Sequence, residues 1–222
     1  MTTSKAPIRF YFDYISSNAY LAWKVLPALA AKYGHTLEPV PVLFAGLLNA
    51  HGQMGPAEVP AKSYWMWKNN LRKAKLLGIP LHPPAFHPFN PLLSLRVSSL
   101  DMSEDERRRI VDALFDAVWA EHLHVSDREV VARVLDGAGL SGKDMVARAS
   151  EDAVKQRLRR QTDDAIASGV FGVPTMLVAA ELFWGYDDLP YLERYLAGTD
   201  PLDPAVVPTE IPRASATRRR RP

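Results

Sequence analysis

From Ile8 to Asp13 apolar and polar residues alternate with the period of a half-buried strand, and from Asn18 to Lys32 the period changes. Tyr20, Leu21, Val25, Leu26, Leu29 and Ala30 recur there at the spacing of one helix face. Thr36 to Val42 reads as a second strand beyond a loop at Gly34-His35, so the chain opens β-α-β. Strand signals then largely vanish as far as Gly169, and helices are predicted over 61–77, 91–100, 104–121, 128–138 and 151–168. Ser103 with Glu106 three residues on is a capping-box pattern, and Gly78 with Pro80 stops the first of these helices. Apolar runs return at Met176–Val178 and Leu182–Trp184, a closing hairpin, followed by a helix over 188–196. Beyond Gly198, prolines at 201, 204, 208 and 212 predict an extended tail.

Two segments of this pattern carry chemistry. Ser16 and Ser17 stand at the start of the first helix, where unpaired backbone N–H groups and the positive end of the helix dipole favour an anion. A thiolate held there would be stabilised; the plainer role for either serine is to cap the helix. The second segment is Phe171-Gly172-Val173-Pro174-Thr175, whose proline falls at a strand start, where no ladder hydrogen bond is required of it. The order of elements is that of an α/β chain: a thioredoxin-like domain interrupted by an inserted all-helical domain. Residues 7–45 and 170–198 would form the thioredoxin-like part, 46–169 the helical insertion, and 199–222 a Pro/Arg-rich tail expected to be disordered.

Up to about Ala197 the chain resembles the 2-hydroxychromene-2-carboxylate isomerases and kappa-class glutathione transferases, relatives of the DsbA-type oxidoreductases. The segments that carry the likeness are Phe12-Asp13-Tyr14-Ile15-Ser16, Gly55-Pro56 with Pro60-Ala61-Lys62, Gly78-Ile79-Pro80, His87-Pro88-Phe89-Asn90-Pro91, Ala117-Val118-Trp119, Gly169 to Thr175, and Phe183-Trp184-Gly185-Tyr186-Asp187. No one of them is specific; their order and spacing are.

The resemblance implies that Ser16 is catalytic, donating its hydroxyl hydrogen to the sulfur of bound glutathione. It implies that Val173, before a cis Pro174, offers its main chain to the cysteinyl backbone, and that Tyr186 and Asp187 hold the γ-glutamyl group, with capping of the last helix as the structural alternative for Asp187 or Asp188. Lys62 and Gln53 would meet the glycyl end, Gln53 standing where kappa transferases have asparagine. Tyr14, Asn90 and Trp119 would face the substrate, although Asn90-Pro91 is also a helix-start signal and aromatics at helical spacing are also core. Ser17 and Asn18 depart from the usual proline and aromatic. The expected activity is glutathione-dependent isomerisation of a small aromatic substrate. The alternatives are a kappa-like transferase conjugating electrophiles and a non-catalytic glutathione- or ligand-binding protein; relatives are commonly homodimers.

Composition narrows this further. The 222 residues, 47% hydrophobic, can bury a sizeable core. There is no cysteine, so a thioredoxin relative of this composition cannot exchange disulfides through its own thiols, and any thiol must arrive with a cofactor. Apolar stretches are interrupted before membrane-spanning length, and the first residues lead into a strand, so no membrane association and a cytoplasmic location are expected. The net charge of +2 includes Arg213 and Arg218 to Arg221, which leaves the remainder near −3. That run reads as a solvated tail, with no nucleic-acid partner. Three further features are set aside: Gly137 to Lys143 as an interhelical turn that imitates a phosphate loop, His122 and His124 as lacking partners for a metal, and His82 and His87, which flank a proline-rich loop where a surface role is expected ahead of a substrate contact.

Overall fold

The computed structural model describes residues 5–208. Strand β1 (Ile8–Phe12) pairs in parallel with β2 (Leu37–Pro41), the two joined by α1 (Ser17–Lys32). On its other side β1 pairs antiparallel with β3 (Thr175–Val178), which turns back into β4 (Glu181–Trp184), giving the sheet order β2-β1-β3-β4. Pro39 and Pro41 are tolerated because β2 is an edge strand. The remaining helices are α2 (Phe44–His51), α3 (Pro60–Leu77), α4 (Leu92–Ser98), α5 (Glu104–Trp119), α6 (Arg128–Gly137), α7 (Gly142–Arg148), α8 (Asp152–Ala167) and α9 (Leu189–Leu196).

The alternation in β1 sends side chains to both faces of the sheet. Ile8, Phe10 and Phe12 join Met176 of β3 in a core with Trp23 and Leu26 of α1 and Phe115 of α5. Tyr11 and Leu177 face the other way, onto Leu47 of α2 and Ala165 of α8. The helical middle of the chain therefore packs on both faces of the sheet.

Two helices were not anticipated. The segment of α2 is only eight residues and contains Gly46, which lowers its helical signal, yet a Cβ at Gly46 would come within 3.1 Å of the Thr162 methyl of α8. Close packing on α8 explains the glycine. The turn expected over 137–143 ends in α7, whose Gly142 lies so close to the Ala132 carbonyl of α6 that any Cβ would collide with it. Beyond α9 the described residues are exposed apart from a half-buried Asp200, and they include one 3-10 turn at Pro204–Val206. The Arg-rich end of the expected tail lies outside the described residues.

Candidate active site

The loop from β1 to α1 is fixed from behind. Ser16 N–H donates to the Asp13 carbonyl at 3.0 Å, the Trp119 indole Nε1 donates to the Tyr14 carbonyl at 3.0 Å, and His87 Nε2 meets the Ile15 carbonyl at 3.1 Å. The Asp13 carboxylate accepts from Ile15 N–H at 3.1 Å and from Phe44 N–H, at the start of α2, at 2.9 Å. Each bond fixes a main-chain group that would otherwise be unsatisfied in a buried turn. What the loop leaves uncommitted is the Ser16 hydroxyl hydrogen. Ser16 is the N-cap of α1, and its Oγ accepts from Ala19 N–H at 3.2 Å. A hydroxyl that accepts still has one hydrogen to donate, so capping and binding an anion are compatible. The first turn of α1 carries no acidic residue to oppose an anion there.

Val173 lies beside this loop. The β1–β3 ladder runs from Ile8–Val178 to Tyr11–Thr175, so Val173 stands two residues ahead of β3, at the end of the sheet where α1 begins. The Val173–Pro174 peptide is cis, as the resemblance implied. The neighbouring carbonyls are occupied: Gly172 accepts from Thr175 Oγ1 at 2.7 Å and Pro174 from Gly185 N–H at 2.8 Å. Among the described residues neither the N–H nor the C=O of Val173 has a hydrogen-bond partner. Gly172 is required where it stands, because a Cβ would lie 2.5 Å from Nε1 of Trp184.

Helix α3 runs along one side of the site. Its residues at three-residue spacing reach successive parts: Trp67 packs on His87 and Trp119, Asn70 Nδ2 donates to Ser17 Oγ at 2.8 Å, and Lys73 Nζ pairs with Asp187 at 2.8 Å while lying 4.9 Å from the Tyr186 ring centre. Asp187 is 72% exposed and Lys73 only 11%, so the carboxylate faces solvent while the lysine stem is covered. Neither aspartate caps α9 through its side chain, since Asp188 accepts from Trp184 N–H at 2.9 Å instead. Gln53 follows the left-handed Gly52 that ends α2, and Lys62 lies in the first turn of α3; both are exposed and without a side-chain partner among the described residues.

Several expectations change. Tyr14 and Trp119 are fully buried, with the Tyr14 hydroxyl 2.7 Å from Ser98 Oγ, so they support the loop from the core and do not form pocket walls. Asn90 is exposed, and its Oδ1 accepts from Leu92 N–H at 3.0 Å, which is the helix-start role its Asn-Pro sequence also offered. His87 is not a surface residue of its loop; it is half-buried against Trp67 and Trp119 and bonded to the residue before Ser16. His122 packs edge-on against the His82 ring at 5.2 Å, and among the described residues no group of three or more His, Asp or Glu could hold a metal ion. Lys73 and Asn70 escaped the sequence reading because nothing local distinguishes them on an amphipathic helix.

Burial also sets the charge states here. Enclosure raises the Asp13 carboxyl to about 7 even though the N–H groups of Phe44 and Ile15 favour its ionised form. Burial lowers the His87 imidazole below its usual value, opposed by its bond to Ile15. Burial likewise raises the Tyr14 phenol, which makes it a neutral hydrogen-bonding group.

Comparison with known proteins places the fold in a family. The family described as the DSBA-like thioredoxin domain matches residues 7–197. A 2-hydroxychromene-2-carboxylate isomerase of Pseudomonas putida is 32% identical over 84% of this chain and 92% of its own length. A kappa glutathione transferase of Caenorhabditis elegans is 26% identical over 86% and 91%. A solved structure of a 2-hydroxychromene-2-carboxylate isomerase superposes with a TM-score of 0.80 at 31% identity, over 86% of this chain and 94% of the other. The chain belongs to the DSBA-like thioredoxin domain family, in the group of 2-hydroxychromene-2-carboxylate isomerases and kappa-class glutathione transferases.

Proposed function

We propose that this protein is a glutathione-dependent isomerase of the 2-hydroxychromene-2-carboxylate type. The observation that carries the reading is the pairing of Ser16, its hydroxyl hydrogen free at the N-terminus of α1, with the unpartnered main chain of Val173, in a chain with no cysteine of its own. Both features fit glutathione: an unpaired main-chain N–H and C=O just ahead of a strand suit a peptide backbone, and a hydroxyl at a helix N-terminus suits a sulfur anion. When bound, glutathione supplies a thiolate that adds reversibly to a conjugated carbon, so that the former double bond turns as a single bond before elimination.

The chain's own residues prepare that chemistry. Ser16 donates to the sulfur and the α1 dipole favours its anionic form; lowering a free thiol from about 8.5 needs roughly 1.4 kcal/mol of preferential stabilisation per unit. Val173 fixes the peptide's register. Asp187 is placed to receive the γ-glutamyl ammonium in exchange for Lys73, and Lys62 to receive the glycyl carboxylate. The exposed apolar side chains Tyr64, Trp65, Leu71 and Leu76 of α3 support assembly as a homodimer through that helix, which sedimentation would check. Among the described residues no helix is long and apolar enough to cross a membrane.

The test is an ultraviolet titration of bound glutathione. The thiolate should appear at lower pH in the wild type than in Ser16→Ala; superimposable curves would reduce Ser16 to a helix cap. Product analysis then separates isomerisation, in which total free glutathione is unchanged, from transfer, in which it falls.

A further inference from the structure

His87 is the titratable side chain of this cluster that retains a lone pair open to a ligand. The Ile15 carbonyl can only accept, so His87 Nε2 carries the hydrogen of their 3.1 Å bond, and in the neutral ring Nδ1 is left as an acceptor. Nδ1 has no partner among the described residues, and His87 is only half-buried, so part of its ring is open to solvent. Of the loop's own titratable groups, Asp13 is 1% exposed with each oxygen already accepting an N–H, and the buried Tyr14 phenol is engaged with Ser98 Oγ.

The surroundings of His87 keep it neutral and directed. Trp67 of α3 meets its ring edge-on at 5.2 Å, Trp119 of α5 is tilted at 5.8 Å, and Phe89 of its own loop stands at 6.2 Å. From the β1–α1 loop the group that meets it is the Ile15 carbonyl. None of these neighbours is titratable, and burial is the main influence on its protonation.

We propose that His87 is a catalytic proton carrier for a hydroxylated substrate, its Nδ1 taking the proton of a hemiketal hydroxyl and returning it to the ring oxygen. The inference rests on the isomerase reading above. In 2-hydroxychromene-2-carboxylate the hydroxyl and the ring oxygen share one carbon. The O–H bond breaks as Nδ1–H forms, and the O–H electron pair becomes the second bond of a carbonyl. The bond from that carbon to the ring oxygen breaks with its pair on the oxygen, and the Nδ1 proton then neutralises the resulting phenolate. Atoms and electrons balance without an oxidant or a metal. Opening the ring exposes the conjugated double bond whose rotation belongs to the Ser16 side of the site.

The test uses the full chain with glutathione and 2-hydroxychromene-2-carboxylate, comparing wild type, His87→Gln and His87→Ala. Glutamine keeps an N–H for the Ile15 carbonyl but has no base that titrates near neutrality. In His87→Gln the thiolate titration should match wild type, kcat should fall by about 100-fold or more, and the acidic limb of the pH profile should disappear. Added imidazole should restore part of the rate of His87→Ala. A His87→Gln enzyme within a few-fold of wild type, or one that keeps the acidic limb, overturns the proposal. If wild type shows neither thiolate formation nor isomerisation, the glutathione reading itself fails and His87 loses its role with it. Should the glutamine variant misfold by circular dichroism, nitrogen-15 spectra of wild type decide. The Nδ1 resonance should move on adding 2-hydroxychromene-2-carboxylate and stay in place with 2H-chromene-2-carboxylate, and an equal response to both overturns the proposal.

Discussion

The β1–α1 loop and the segment from Gln53 to Lys62 are assigned to opposite ends of the same ligand, and they are held in different ways. The loop is fixed by partners far away in sequence: Trp119 is 105 residues from Tyr14, His87 is 72 from Ile15, and Phe44 is 31 from Asp13. The bonds that shape the other segment are local, Gly55 N–H to Glu58 at 2.6 Å and Val59 N–H to the Pro56 carbonyl at 3.3 Å, and its side chains are largely exposed. A group that must stabilise charge needs donors already in place, because reorganising them costs part of the stabilisation. A group that only binds a carboxylate can be ordered by that carboxylate. In the proposed orientation of glutathione, the sulfur end would be built into the core and the glycyl end left to adapt.

The sharpest way to break this contrast is to remove the loop's support. Trp119→Ala deletes a fully buried indole and leaves the Tyr14 carbonyl without its donor. The expected loss is about 3–5 kcal/mol in urea denaturation, with the bound thiol titrating at higher pH in whatever folds. A small loss with an unchanged titration would mean that the loop keeps its shape without the core behind it.

Asp13 gives a subtler probe of the same end. Its carboxyl is raised to about 7 in the fold from an ordinary 3.8. Between those values the native state retains a proton that the unfolded chain has released, so stability should fall as pH rises through that window and level off above it. Asp13→Asn should flatten this slope while lowering stability at every pH, because its amide nitrogen confronts one of the two N–H donors. Urea midpoints at pH 5 and pH 8 in both proteins check it, and parallel slopes would show that the two N–H groups keep the carboxylate ionised.

The contrast also explains what could be read from the chain alone. Ser16 was legible because a serine before an amphipathic run has a local capping meaning, and the β-α-β opening because its periods are long and clean. Val173–Pro174 needed the family likeness, since sequence periodicity does not distinguish cis from trans. His87 was read as a surface residue because its contact with Ile15 and the two tryptophans exists only after a loop between α3 and α4 folds back on β1. Lys73 was missed for the same reason: its partner lies 114 residues away, and a lysine on a helix ordinarily faces water. Local chemistry was readable; long-range pairing was not.

At the exposed end, effects should be smaller and confined to binding. Lys73→Gln frees the Asp187 carboxylate and should lower the glutathione concentration needed for half-saturation, whereas Asp187→Asn should raise it. Each change should stay within about fivefold, since the Asp187 carboxylate is 72% exposed and a pair open to solvent on one side is worth about 0.2–1 kcal/mol. Rates at saturation should hardly move, because a contact equal in ground and transition states affects apparent affinity alone. Matching shifts of the same sign would instead tie both residues to the fold.

Lys62→Ala should be the mildest change to the protein and the most selective toward the ligand. The side chain is exposed and has no partner among the described residues, so the melting temperature should stay at the wild-type value and urea stability within about 0.5 kcal/mol. If Lys62 receives the glycyl carboxylate, the variant should need several-fold more glutathione for half-saturation, and the difference should shrink as salt is added, because an exposed pair is screened. The glycyl ethyl ester of glutathione, which lacks that charge, should bind wild type and variant alike. An ester that discriminates between them as strongly as glutathione does would move Lys62 away from the glycyl end, and the adaptable half of the site would then have to be sought elsewhere on α3.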